Sequence, residues 1–155
     1  MPNLTVRTNG FDQLEKDWLE LAEDIGPAKA RTTLNRPMRQ AVEIVADDIR
    51  ANTPIDSGGL RDSVNTNAGR ARRAEVSSGV FDTNDVVVAR AGWFWRGESR
   101  WFQALAVEYG TRTLPAQMVL RDALMSNTTE MLQTLSTGIR EAITKRTARF
   151  RNTGR

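Results

Sequence analysis

The sequence predicts an α+β fold with a small, mainly antiparallel sheet, two N-terminal helices and a long C-terminal helix. Apolar residues recur at helical spacing in the first third and the last third of the chain. Over residues 64–92 the pattern changes to that of strands. The 155 residues suffice for one hydrophobic core, so we expect a single domain over residues 1–155 with a basic C-terminal extension at about 145–155.

The N-terminal part predicts a short strand followed by an amphipathic helix. Leu4, Val6 and Thr8 alternate with polar neighbours, which favours a strand, and Asn9-Gly10 marks a turn. A helix is predicted over residues 11–25, ended by Gly26-Pro27. Its apolar positions, separated by three or four residues, are Phe11, Leu14, Trp18, Leu21 and Ile25.

The second helix is predicted to begin near Ala28 and to stop near Ala51, because Pro54 disfavours helical geometry just before it. Pro37 either starts a fresh helix or kinks a longer one. The apolar stripe of this helix consists of Met38, Val42, Val45 and Ile49.

A turn over residues 54–62 follows, in which Gly58 and Gly59 can adopt positive φ. Residues 74–81 and 86–91 then read as two strands that flank a hairpin loop at 82–85.

Beyond the sheet, residues 103–109 suit either a short helix or a strand, and Gly110 ends that element. A long helix is predicted from Pro115, which suits a first-turn position, to about Phe150. Gly138 interrupts this helix, either as a tolerated residue or because another helix approaches closely there.

The composition argues against catalysis. The chain has no cysteine and no histidine, so Ser57 and Ser63 lack the usual base. Asp56 and Asp62 lack calcium-loop spacing, and no Gly-Lys-Ser/Thr follows Gly58-Gly59. We therefore expect no catalytic residue, no cofactor and no metal. No apolar run approaches the roughly 20 residues that span a bilayer, so no membrane contact is expected.

Glu108 is the one acidic residue in an apolar context, between Val107 and Tyr109. A catalytic carboxylate needs a partner group, and none is identifiable. We therefore interpret Glu108 as a structural residue, held by the backbone amides of Gly110 and Thr111 or by an arginine.

Aromatic residues are concentrated at positions 93–102, around a polar tip. They suit a core, a stacking platform for nucleic acid or a protein interface, and we favour packing partly on a neighbouring subunit. The interface candidates here are Trp93, Trp95, Trp101, Arg96 and Arg100.

The net charge of +3 is unevenly placed. Residues 12–24 are predominantly acidic, and residues 140–155 are predominantly basic, with Arg140, Arg146 and Arg149 as interface candidates. The alternatives are solvated ends, contact with DNA phosphates, or oppositely charged faces that meet between copies.

Two motifs carry a resemblance to a known family. The first is Thr53-Pro54-Ile55-Asp56-Ser57-Gly58-Gly59-Leu60-Arg61-Asp62-Ser63. The second is Val107-Glu108-Tyr109-Gly110-Thr111, followed by Pro115-Ala116 and Leu120-Arg121-Asp122-Ala123-Leu124. Together they resemble small tail-completion, or minor tail, proteins of long-tailed, lambdoid-type bacteriophages. The resemblance covers roughly residues 40–125 and makes Gly58, Gly59, Glu108, Gly110 and Pro115 structural turn residues.

The resemblance implies a structural virion protein of the phage neck, assembled in the host bacterial cytoplasm. It implies a ring of copies, most simply six, that completes the tail and joins the tail tube to the head connector around the DNA channel. The implied partners are a tail terminator or tail tube protein and a head connector or stopper protein, with contact to the DNA left open. The alternative is a DNA-binding or DNA-packaging accessory protein that uses the arginine-rich segments.

Overall fold

The computed structural model describes residues 16–17, 19–20, 23, 26–55, 58–79, 87–94 and 101–153. Its elements in chain order are α1 (Pro27–Asn52), α2 (Gly59–Asp62), β1 (Val64–Arg70), α3 (Arg73–Ser77), β2 (Val87–Trp93), α4 (Trp101–Tyr109) and α5 (Val119–Thr153). Residues 16, 17, 19, 20 and 23 are also helical, within the first predicted helix. The α+β fold with its small antiparallel sheet and long C-terminal helix is confirmed.

Helices α1 and α5 form an antiparallel pair that supports the rest of the fold. The Asn127 amide donates to the carboxylate of Asp48 over 2.7 Å near one end of the pair. Toward the other end, a Cβ on Gly138 would lie 3.1 Å from Cβ of Pro37. Gly138 is therefore the point of close helix approach, and α1 continues through Pro37 as one helix.

The sheet contains β1 and β2, paired from Val64 opposite Trp93 to Arg70 opposite Val87. One face packs on α1, where the Thr66 hydroxyl donates to Glu43 over 2.6 Å. The pKa of Glu43 is lowered, mainly by this hydrogen bond. Asn65 and Asn67 alternate with the inward residues and are exposed, so the outer face of the sheet is polar.

The core is small and lies where α1, the sheet and α5 meet. Its buried members are Val45, Ala46, Ile49, Val64, Val119 and Ala123. Ala91, Trp93, Val107, Leu120 and Met131 pack against them and are partly buried. The core therefore connects β2 and α4 to the start of α5.

The strand predicted over residues 74–81 is wrong over its first part, because residues 73–77 form α3. The Glu75 carboxylate accepts the backbone N–H of Arg72 over 2.5 Å and closes the first turn. It also pairs with Arg90 of β2, whose Nε lies 2.6 Å from Oε1. The Arg90 hydrogen bonds, followed by that of Arg72, lower the pKa of Glu75 to about 2.

The other predicted elements have different outcomes. The second strand, predicted over 86–91, is confirmed as β2 from residue 87. Residues 103–109 are helical. The long helix begins at Val119, so the prediction that Pro115 lies in its first turn is wrong. The strand at 4–8 and the hairpin loop at 82–85 lie outside the described residues.

Candidate functional site

Glu108 lies in the last turn of α4 and is 7% exposed. Its carboxylate accepts the backbone N–H groups of Leu120 over 2.8 Å and of Arg121 over 3.2 Å. These groups belong to the first turn of α5 and have no intrahelical acceptor. The negative charge also complements the positive end of the helix dipole. Glu108 therefore caps α5 from a distant position in the chain.

This cap corrects the expected partners of Glu108. Backbone amides hold the carboxylate, but they belong to α5 rather than to Gly110 and Thr111. The reason is that the chain after α4 folds back, and its return brings the start of α5 to the end of α4. The carboxylate therefore joins the end of α4 to the start of α5.

Backbone hydrogen bonds tie the two helix ends together. The N–H of Gln117 donates to the carbonyl of Val107 over 2.8 Å, and that of Met118 to the carbonyl of Glu108 over 3.3 Å. Met118 adopts a positive φ of 50° just before α5 begins. The loop between the helices is therefore anchored at its return, and we call residues 107–121 the α4–α5 junction.

Gly110 makes this junction sterically possible. It has φ of 76°, and its N–H donates to the carbonyl of Ala106 over 2.9 Å, which ends α4. A Cβ at this position would lie 2.7 Å from the backbone nitrogen of Ala116 and 2.8 Å from the carbonyl oxygen of Leu114. Pro115 lies within this loop, ahead of the helix.

The first motif forms a separate turn. Gly58 has φ of 77° and accepts the N–H of Asp62 over 2.9 Å, while Gly59 begins α2. The nearest atom to a Cβ on Gly58 would be a carboxylate oxygen of Asp62 at 3.8 Å. The requirement at Gly58 is therefore for backbone conformation rather than for space.

Helix α4 exposes an apolar face beside the junction. Leu105 is 42% exposed and Tyr109 is 75% exposed, and Phe102 precedes them at helical spacing. Leu114 of the junction loop, 58% exposed, lines a cleft of about 240 Å³ together with Ala106 of α4. We call Phe102, Leu105 and Tyr109 the α4 face.

The sequence motifs contain Tyr109 but neither Phe102 nor Leu105, so they do not identify the α4 face as a whole. The sequence alone did not decide whether residues 103–109 form a helix or a strand. Only a helix brings positions 102, 105 and 109 onto one side. A three-then-four spacing of large apolar residues was the available signal.

Among the tryptophan candidates, the structure describes the side-chain surroundings of Trp93. Trp93 is half-buried, packs against the core and donates from Nε1 to the Thr53 hydroxyl over 3.2 Å. Trp101 is the first residue of α4. Trp95, Arg96 and Arg100 lie outside the described residues. Trp93 thus contributes to core packing.

Charge is unevenly distributed along the α1–α5 pair. Arg140 and Arg149 are exposed and Arg146 is half-buried on the C-terminal half of α5. At the opposite end, Asp47, Asp48 and Asp122 line a groove of about 860 Å³ between the two helices. The helix pair therefore has a basic end and, at its other end, a groove with three carboxylates, of which that of Asp47 pairs with Arg50.

Two further classes of site receive no support from the described ranges. No group of three or more histidine, cysteine or acidic side chains comes together there to hold a metal. No helix in the same ranges combines the length and apolarity that crossing a membrane requires.

One comparison with known proteins gives a match. The HK97-gp10-like family, described as "Bacteriophage HK97-gp10, putative tail-component", matches residues 12–110. The matched range includes α1, the sheet and α4, and it ends at the glycine that closes α4. Searches of curated proteins and of solved structures found no match.

Proposed function

The chain belongs to the HK97-gp10-like family of bacteriophage tail components, and we propose that it forms a ring in the phage neck. As a tail component it acts in the virion, in contact with other virion proteins. The ring completes the tail and joins the tail tube to the head connector around the DNA channel. The protein has a structural role there and performs no chemistry.

The α4 face is the observation that carries this proposal. Apolar and aromatic residues form the centre of protein interfaces, whereas a monomer gains little from exposing them together. The α4–α5 junction holds the face through the Glu108 cap and the tight turn at Gly110. Binding therefore requires little ordering of this surface, which favours association.

The charges of the α1–α5 pair support a ring rather than a closed dimer. A head-to-tail contact joins two different surfaces and closes into a ring when its rotation permits. In such a contact, the basic half of α5 on one copy faces the acidic groove at Asp48 and Asp122 on the next. Exposed ion pairs contribute at most about 1 kcal/mol each, so they set register while the apolar face supplies affinity.

Copy number and neighbours follow from the resemblance. Six copies would match the symmetry of a tail. One side of the ring would contact a tail terminator or tail tube protein, and the other a head connector or stopper protein. The particle would assemble in the host bacterial cytoplasm.

Light scattering coupled to size-exclusion chromatography tests this proposal, with and without duplex DNA. We expect a closed oligomer without DNA. The double variant Leu105→Ser/Tyr109→Ser should be mainly monomeric, whereas the control Leu19→Ser, at a residue exposed to a similar degree outside the α4 face, should assemble normally. A monomer that changes mass only with DNA would instead favour the DNA-binding accessory role.

A further inference from the structure

A polar groove of about 560 Å³ lies between α1 and β1. Arg36 and Arg39 line it from α1, and residues 65–68 line it from β1. Much of the remaining lining consists of carboxamide side chains, those of Asn35, Gln40, Asn65 and Asn67. Carboxamides offer both donors and acceptors of hydrogen bonds, so the groove suits a ligand that offers both as well.

The backbone of β1 presents hydrogen-bonding groups to this groove. The N–H of Phe94 donates to the carbonyl of Ser63 over 2.9 Å, which fixes the alternation along the antiparallel pair. The N–H and C=O groups of Thr66 and Ala68 therefore point away from β2. Ala68 lines the groove, so its backbone groups border the cavity.

Two observed contacts on the outer edge of β1 agree with this direction. The carbonyl of Val64 accepts from the Arg50 guanidinium over 3.4 Å, and the N–H of Thr66 donates to the Asn65 side chain over 2.8 Å. Arg50 belongs to α1, so the edge that bears these groups is the one beside the helix. Ala68 continues this edge into the groove.

The groove carries a net positive charge. Glu43 is the one acidic residue among its described lining residues. The Glu43 carboxylate accepts from the Thr66 hydroxyl over 2.6 Å and pairs with Arg50 over 2.9 Å. Arg36 and Arg39 are exposed and lie one turn apart on the groove side of α1. Because Arg50 already neutralises Glu43, these two arginines favour an acidic ligand.

We propose that this groove binds an extended, acidic peptide segment of a neighbouring virion protein, which adds a strand to the outer edge of β1. The peptide backbone would exchange hydrogen bonds with Ala68, and carboxylates at alternate positions would face Arg36 and Arg39. A two-stranded sheet is marginally stable, so a third strand also adds support to this sheet.

The direction of the groove suits an added strand. Helix α1 and strand β1 run alongside each other in opposite directions, because Arg50 contacts Val64 whereas Glu43 contacts Thr66. A strand beside β1 would therefore run past both groove arginines. Alternate residues of a strand are about 6.6 Å apart, and the two arginines are about 4.5 Å apart along the helix axis, a difference that their long side chains cover.

The lining favours a peptide over the phosphate backbone of DNA. Phosphate oxygens are acceptors, so they would satisfy the two arginines but would supply no donor to the carbonyl of Ala68 or to the carboxamide oxygens. A peptide supplies N–H and C=O groups together with its carboxylates. The described lining residues belong to α1 and β1 and not to α4, so this contact is separate from the α4 face.

Fluorescence anisotropy with the full-length protein tests the proposal. The probe is a labelled, terminally blocked nonapeptide of alternating threonine and aspartate. We expect saturable binding that Arg36→Gln/Arg39→Gln weakens by about fivefold or more, since two exposed ion pairs are lost. The matched control Arg140→Gln removes an exposed arginine of α5 and should leave the affinity unchanged. Circular dichroism verifies that both variants are folded.

Backbone methylation of the probe separates strand pairing from charge attraction. Methyl groups on every second backbone nitrogen leave the charge unchanged, and two such patterns are possible. One pattern should abolish binding because it removes the donors that face β1, and the other should have little effect. Hydrogen exchange then locates the site, because the unmethylated peptide should slow exchange of the Ala68 N–H.

Three results would overturn the proposal. They are no saturable binding up to about 1 mM peptide, equal affinity of the parent and the Arg36→Gln/Arg39→Gln variant, or equal binding of the two methylated peptides. Short duplex DNA that displaces the peptide at lower concentration would identify phosphate as the ligand, and would also overturn it. Ring formation by the double variant should be normal in light scattering, so failure of this proposal leaves the proposed function intact.

Discussion

Gly110 and Glu108 make different contributions to the same junction. Gly110 has left-handed backbone geometry, and its missing side chain leaves room for the returning loop. Glu108 supplies acceptors to the first turn of α5. The sequence analysis interpreted both as structural turn residues and offered two alternatives for Glu108, the backbone amides of Gly110 and Thr111 or an arginine. It could not identify which amides, because the partner residues come close only through the fold of the loop.

Gly110→Ala should lower the free energy of unfolding by more than about 2 kcal/mol. Left-handed geometry alone costs an alanine about 1–2 kcal/mol, and the clash with Ala116 and Leu114 adds to it. Gly79→Ala is the matched control, because Gly79 has φ of 73° and open space around its Cβ position. Denaturant unfolding of both variants measures the difference, and equal losses would show that the close approach at Gly110 has no cost.

Glu108→Gln should destabilise the protein by about 1–3 kcal/mol, because a hydrogen-bonded charge at the N-terminal end of α5 is lost. The glutamine side chain can accept one of the two backbone hydrogen bonds through its oxygen, but its NH2 group would then face the other backbone N–H. Glu130→Gln, at an exposed position on α5, should have little effect. Thermal unfolding of the two variants provides the comparison. An unchanged melting temperature for Glu108→Gln would contradict the cap.

At the scale of elements, periodic apolar residues predicted the helices and strands that depend on local sequence pattern. The spacing of Val42, Val45 and Ile49 gave α1, and the apolar run from residue 86 gave β2. The start of α5 was placed at Pro115 because proline suits a first turn, but the effective cap is Glu108, and the helix begins only where that carboxylate reaches it. Helix α3 was missed because Glu75 closes its first turn and pairs with Arg90 of a later strand.

A prediction at the scale of elements concerns the α4 face. Replacing Leu105 and Tyr109 by serine should weaken association between copies by about tenfold or more, since aromatic and aliphatic anchors dominate interface energetics. Folding should be retained, because both side chains are exposed in the single chain. Sedimentation over a concentration series, with circular dichroism as the folding control, measures both. Unchanged association by the folded double variant would remove this face from the interface.

On the scale of the whole molecule, the antiparallel α1–α5 pair separates a basic end from an acidic groove. The sequence predicted oppositely charged segments, but it paired residues 140–155 with residues 12–24. The groove at Asp47, Asp48 and Asp122 could not be predicted, because it joins side chains from α1 and α5 that only tertiary packing brings together. Charges placed at two ends of one body suit repeated head-to-tail contacts.

Deleting residues 147–155 should leave a folded domain that joins tails to heads poorly and with less salt dependence. The truncation removes Arg149, Arg151 and Arg155, and each exposed pair is screened as ionic strength rises. Joining efficiency in a reconstitution assay at increasing salt measures the effect. Full joining with parental salt dependence would show that the basic end takes no part in assembly.

A density map of the intact virion tests the central claim most directly. The account predicts a closed ring of this protein at the junction of tail and head, most simply with six copies, and with the α4 face of each copy against its neighbour. Density for the protein at the distal end of the tail, or as isolated copies with exposed α4 faces, would contradict it.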